Sequence, residues 1–235
     1  MLLHGFGDTP QTLGYLAASL AENGWTVRAP LLPGHGRNLD AFAASGPDEW
    51  LLAARAELAV LTVRYERVAV VGLSMGGALA AILAAETPTI DAVVLIAPYL
   101  EMPVVTRTVA QLHRIVGVFF PVIAGRGAKS IANPTESVRN LAYGRTTPRL
   151  LAGLLSIVRQ AWAALPQVTV PTLYLQSHHD NRIPPRVAVQ AFARLGATRK
   201  RLEWVDDGTH IITVDFGHER VTKAVVAWLD YLSRP

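Results

Sequence analysis

Val68-Ala69-Val70-Val71-Gly72-Leu73-Ser74-Met75-Gly76-Gly77-Ala78-Leu79-Ala80-Ala81-Ile82-Leu83-Ala84-Ala85 runs eighteen residues without a charge. That is long enough for a membrane span. Yet Gly72, Ser74, Gly76 and Gly77 fill its centre, where a bilayer helix would carry Leu and Ile. Its start is short and β-branched, and its end is helix-forming. The stretch predicts a buried strand, a glycine-rich turn and a buried helix. So sharp a turn strains its serine, and glycines two before and two after it let neighbouring backbone approach.

Outward from this stretch, strand-like runs at residues 1–3, 25–29, 92–96, 172–176 and 201–205 alternate with helical periodicity at 11–22, 48–63, 186–195 and 216–232. The pattern predicts an α/β fold, a mostly parallel sheet with helices on both faces. Its site is expected at the carboxyl ends of the strands. Residues 98–166 break the alternation, with six prolines and no clear strand. They carry eight basic and two acidic residues, a charge of +6 within a chain of +4. They also hold the uncharged run 115–125 with Phe119-Phe120. We expect a helical insertion here over a core of residues 1–97 and 167–235, since so long a connection usually has a function.

Composition narrows the classes. The 235 residues are 51% hydrophobic and 17% charged, which excludes disorder. With no cysteine, disulfide scaffolds, thiol nucleophiles and thiolate metal sites are excluded. No basic start precedes an apolar block, so no signal peptide is expected and the default location is cytoplasmic. The basic residues are spread out and not interleaved with aromatics, against nucleic-acid binding.

Gly72-Leu73-Ser74-Met75-Gly76 matches G-x-S-x-G between a strand and a helix. A serine there needs a base, and the base an orienting acid, in the chain order Ser, Asp or Glu, His. Asp180 follows the run 172–176 and His210 the run 201–205, so Ser74, Asp180 and His210 are the catalytic candidates. Asp206 and Asp207 lie too close in sequence to His210, and Asp215 comes after it; a solvated loop carboxylate is the alternative reading of Asp180. Backbone N–H groups of Phe6 and Met75 are the candidate oxyanion hole, with Gly5 and Gly7 turning the loop inward and His4 bracing it. His178-His179-Asp180 has no partner cluster for a metal, His218-Glu219 lacks the second histidine of H-E-x-x-H, and neither nucleotide-binding glycine pattern occurs. No metal and no cofactor is expected.

On these residues the chain resembles serine hydrolases of the α/β-hydrolase superfamily, and within it bacterial carboxylesterases and monoacylglycerol lipases. The resemblance is carried by Leu2-Leu3-His4-Gly5-Phe6, Pro33-Gly34-His35-Gly36, Gly46-Pro47-Asp48-Glu49-Trp50, Gly72-Leu73-Ser74-Met75-Gly76-Gly77, His179-Asp180 and His210-Ile211-Ile212-Thr213-Val214-Asp215. It implies the triad and oxyanion hole above, a small cap after the strand at 92–96, and cofactor-free hydrolysis of carboxylic esters in lipid metabolism. The apolar run adds an expectation of short-to-medium acyl chains, monoacylglycerols included, with Phe119 and Phe120 binding substrate. The alternatives are a thioesterase or perhydrolase on the same triad, or a non-catalytic hydrolase-like binding protein. Expected partners are a small ester and at most a second copy of the chain as a homodimer, with no transmembrane segment. Two departures stand out. Met1 starts almost on the His-Gly loop, so the first strands of the usual fold are expected to be missing. The family often reads Ser-Gly-His where this chain has Gly208-Thr209-His210, which is expected to alter the loop and not the chemistry.

Overall fold

A computed structural model describes residues 1–124 and 130–233. In chain order the sheet strands are β1 (Leu2–Leu3), β2 (Ala69–Leu73), β3 (Ala92–Ile96), β6 (Thr172–Ser177) and β7 (Lys200–Val205), and a separate pair is β4 (Ile123–Ala124) with β5 (Arg145–Thr146). The helices are α1 (Gly14–Glu22), α2 (Leu39–Ala44), α3 (Pro47–Arg64), α4 (Met75–Glu86), α5 (Val104–Gln111), α6 (His113–Phe119), α7 (Pro134–Arg139), α8 (Pro148–Ala164), α9 (Pro185–Arg194) and α10 (His218–Ser233).

The five sheet strands are all parallel, in the order β1-β2-β3-β6-β7. Alternate side chains of a strand face opposite sides, so a strand covered on both sides must be apolar throughout. Along β3, Val93 and Leu95 join one buried cluster with α3, α4, α8 and α9; Ala92, Val94 and Ile96 join the other with α1 and α10. The eighteen-residue stretch divides as the glycines require, into β2 and α4. Positions 75–84 of α4 are buried on every side, the pattern of a central helix and not a surface one. Among the described residues, no helix is long and apolar enough to cross a membrane.

The expected strand at residues 25–29 does not form. Its one ladder-like bond runs from the Leu2 N–H to the Arg28 carbonyl (2.7 Å), and Pro30 then removes the next donor. Between β3 and β6 lie α5 to α8, as the helical reading of that stretch expects, together with the β4–β5 pair, which it does not. Two-residue strands carry no period to detect. The last residue of the uncharged run, Gly125, with Arg126 and Lys129, lies outside the described residues. α8 turns Leu150, Leu154, Ile157 and Ala161 into the main core cluster, against α4.

The β2–α4 turn tolerates no side chain at its glycines. A Cβ on Gly76 would stand 2.1 Å from the Leu3 carbonyl oxygen, and one on Gly72 2.0 Å from that of Gly76. Both obstacles are backbone and cannot swing aside. Gly76→Ala is therefore expected to lower Tm by on the order of 10 °C or to prevent folding, since the first methyl already forces strand and helix apart. Thermal unfolding of the purified variant checks this; an unchanged Tm would contradict the close approach.

Candidate active site

Ser74 sits at the turn between β2 and α4 with φ 55° and ψ −117°, a left-handed backbone that a β-carbon makes costly. The strain is held in place by its neighbours: the Ser74 N–H donates to the Ile96 carbonyl (3.0 Å), and its carbonyl accepts from Tyr99 (2.9 Å) and Ala78 (3.1 Å). This conformation puts Oγ beyond the carboxyl edge of the sheet. The loops after β6 and β7 reach the same edge and bring two further side chains to it. His210 Nε2 lies 2.8 Å from Ser74 Oγ, and His210 Nδ1 lies 2.9 Å from Asp180 Oδ2.

Asp180 is set as an acceptor on all sides. Its Oδ1 takes the N–H groups of Arg182 (2.7 Å) and Ile183 (2.9 Å), and its Oδ2 takes Gln176 Nε2 (2.6 Å) besides the imidazole. Burial opposes its ionisation, but the charge and hydrogen bond of His210 and the two backbone donors outweigh it and hold the carboxyl below its usual value. With Asp180 ionised, His210 carries its proton on Nδ1 and turns the lone pair of Nε2 to the Ser74 hydroxyl. Such a pair can accept the serine proton as Oγ attacks an electrophile.

The opposite wall is the loop after β1. Gly5 passes so close to Ser74 that a Cβ there would be 3.4 Å from the serine Cβ. Phe6, the next residue, lines the same cavity as Ser74, and Met75 is the first residue of α4, where helix geometry leaves its N–H without an intrahelical acceptor. His4 braces the loop as expected: Nδ1 donates to the Gly5 carbonyl (2.9 Å), and Nε2 accepts from the Leu32 N–H (3.0 Å).

His4 and its edge-on neighbour His35 (4.9 Å between centroids) are both buried. Burial lowers the pKa of His4 to about 3 and that of His35 to about 4. The unfolded chain therefore takes up these two protons first, near pH 6.5. Their contribution to stability is full above that pH and drains away as pH falls from about 6.5 towards 4. Asp8 works the other way, because burial raises its carboxyl to about 6 and the folded state then binds the extra proton. Two protons against one leaves a net loss. The urea midpoint is expected to fall steadily between pH 7 and pH 4.5; a flat midpoint would contradict two neutral buried imidazoles.

In front of Ser74 opens a cavity of about 400 Å³. Its walls are mainly apolar: Leu73, Val105 and Val109 of α5, Ile123, and Leu151 and Leu154 of α8, with Tyr99 and Tyr143 at its sides. Tyr143 is fastened over the loop after β1, its N–H to the Gly7 carbonyl (3.2 Å) and its hydroxyl to that of Gly34 (3.1 Å). Phe119 and Phe120 do not line the cavity. They are 73% and 62% exposed: α6 meets α8 through its half-buried residues His113, Val116 and Gly117, and Phe119 and Phe120 stand at its exposed end. The apolar side chains that line the cavity come instead largely from α5 and α8. His178, the neighbour of the acid loop, stacks on Trp204 (4.3 Å) and pairs with Asp206 away from the site.

Gln176 is not singled out by the sequence reading, although an amide inside the wholly buried β6 is a usable signal. Ser130, whose carbonyl accepts the N–H groups of His210 (3.2 Å) and Ile211 (3.0 Å), offers none.

A five-stranded parallel sheet covered by helices on both faces, with a strained serine at a strand-to-helix turn, defines an α/β-hydrolase. The family described as serine aminopeptidase, S33, matches residues 1–216, and the chain belongs to it. It is 29% identical over 216 residues to a thermostable monoacylglycerol lipase of Bacillus sp. (strain H-257), covering 92% of this chain and 84% of that protein. It is 25% identical over 235 residues to a carboxylesterase of Bacillus subtilis (strain 168), covering 99% and 92%. Among solved structures it is similar to one from work on LipS and LipT, two metagenome-derived lipolytic enzymes. That likeness has a TM-score of 0.88 and 30% identity, and covers 98% of this chain and 92% of that one.

Proposed function

We propose that the protein hydrolyses carboxylic esters with short-to-medium aliphatic acyl chains, monoacylglycerols included, through an acyl-enzyme on Ser74. The observation that carries this is the relay of Ser74 Oγ, His210 and Asp180, at 2.8 and 2.9 Å, opening onto an apolar cavity of about 400 Å³. The similarity to a monoacylglycerol lipase and a carboxylesterase supports it. In this reading His210 takes the Ser74 proton as Oγ bonds to the acyl carbon, and the Phe6 and Met75 N–H groups receive the developing oxyanion. His210 then passes the proton to the departing alkoxide, and water, activated by the same imidazole, releases the acid. Asp180 stays ionised throughout and fixes the tautomer. Residues 98–166 serve as the cap that covers the acyl chain, with α8 as its root in the core.

The cavity's charge favours a neutral ester over a peptide with a free amino terminus. Asp8 is the one carboxyl among the described residues lining it, and burial raises that group to about 6. Arg145 and Arg182 also line it and would repel an ammonium group. A series of p-nitrophenyl esters tests the proposal. Butyrate and octanoate are expected to exceed palmitate in kcat/KM, and aminoacyl p-nitroanilides to go uncleaved. Preference for the anilides, or for a thioester over its oxygen analogue, would overturn the substrate assignment.

A further inference from the structure

The loop that presents His210 is fastened at a point the reaction scheme leaves unused. Thr209 Oγ1 lies 2.7 Å from the Ser130 carbonyl oxygen and 2.9 Å from Asp215 Oδ2. The Thr209 N–H donates to that same Oδ2 (2.8 Å). Asp215 is fully buried, and its carboxylate also receives the N–H groups of Ala132 (2.9 Å), Asn133 (2.8 Å) and Phe216 (2.9 Å). Burial opposes its ionisation, but these donors together with Thr209 outweigh it and keep the group below its usual value. An ionised carboxylate and a carbonyl can only accept, so the Thr209 hydroxyl hydrogen is the donor shared between them. Ser130 reaches the acid loop too, its Oγ 2.7 Å from Arg182 Nε. Segment 130–133, the acid loop and the histidine loop thus meet at one joint, and Thr209 is the residue next to the imidazole.

We propose that Thr209 is a positioning residue for His210, its hydroxyl fixing the backbone from which the imidazole faces Ser74. The proposal rests on the Ser74–His210–Asp180 reading above. Its physical basis is the one hydroxyl hydrogen shared by two acceptors from separate segments, the Ser130 carbonyl and the Asp215 carboxylate, at the residue before His210. A misplacement near 1 Å costs about a hundredfold in rate; a loop loosened but still anchored by Asp215 and the Ser130 carbonyl is expected to lose about tenfold.

Thr209→Val keeps the shape and removes the hydroxyl, and Thr209→Ser keeps the hydroxyl. Three quantities are read well below each variant's Tm: kcat and KM for p-nitrophenyl butyrate, and the rate at which a fluorophosphonate labels Ser74. Thr209→Val is expected to lower kcat and the labelling rate about tenfold with KM within about twofold, and Thr209→Ser to restore both to within about threefold. A Thr209→Val protein that labels at the parent rate, whatever its Tm, overturns the proposal. So does a Thr209→Ser protein that loses as much as Thr209→Val. Should Thr209→Val fail to fold, Thr209→Gly removes the same hydroxyl without burying a methyl, and the same labelling loss is expected. A parent chain that labels at Ser74 but turns over no ester would refute the substrate assignment alone, leaving the labelling ratio to decide this one.

Discussion

Ser74→Ala is expected to fold as the parent does and to lose at least about a thousandfold in kcat on p-nitrophenyl butyrate. Folding should survive because the hydroxyl's one hydrogen-bond partner among the described residues is His210 Nε2, while the strained backbone is held by Ile96, Tyr99 and Ala78 through main-chain atoms that the substitution leaves in place. Alanine carries the same β-carbon and meets the same left-handed φ, so the strain is unchanged. The Phe6 and Met75 N–H groups and the cavity also persist, and KM should move little. What disappears is the nucleophile, and residual turnover then reflects water attacking a bound ester. A variant that is folded by circular dichroism and hydrolyses within tenfold of the parent would remove Ser74 from the chemistry.

Asp180→Asn should fold as well and lose about a thousandfold to ten-thousandfold in kcat. Four donors converge on the carboxylate, and an amide offers a single acceptor oxygen. If that oxygen faces Arg182 and Ile183, the NH₂ points at His210 Nδ1 and drives the ring proton to Nε2, which then cannot take the serine proton. The reverse orientation sets the NH₂ against two backbone N–H groups. The first arrangement is the less costly, because Gln176 Oε1 has no partner among the described residues and its amide can turn to accept from the new NH₂. The expected signature is a near-normal fold with a large kcat loss and little change in KM. Loss of KM with kcat retained would mean that Asp180 serves binding instead.

The parts of this architecture that could be read in advance are those written in local pattern. The stretch from Val68 to Ala85 declares itself because both faces of β2 are covered and its glycines interrupt any continuous helix. Ser74, Asp180 and His210 could be nominated because each follows a strand that ends at the same sheet edge, so one-dimensional order becomes convergence in space. Residues 25–29 misled because β-branching signals a strand while Pro30 ends its hydrogen bonding. α2 was overlooked because six residues are too few for a period, although Asn38, whose side chain caps the Ala41 N–H (2.8 Å), was available as a sign. Phe119 and Phe120 show the limit of composition: the first ends α6 and the second follows it, both exposed, and nothing in the uncharged run reveals which way the helix turns. The joint at Thr209 depends on residues 79 and 6 positions away in sequence, contacts that only the folded chain makes.

In the proposed reaction Ser74 carries the acyl group between two half-reactions. Rapid mixing with excess p-nitrophenyl ester, acid quenching and peptide mass spectrometry test it most directly. A burst of p-nitrophenol close to one equivalent per active site is expected, with the acyl mass on the peptide containing Ser74 and no adduct in Ser74→Ala. Steady ester turnover with the acyl group on another residue, or a Ser74→Ala protein that still shows the burst, would contradict it.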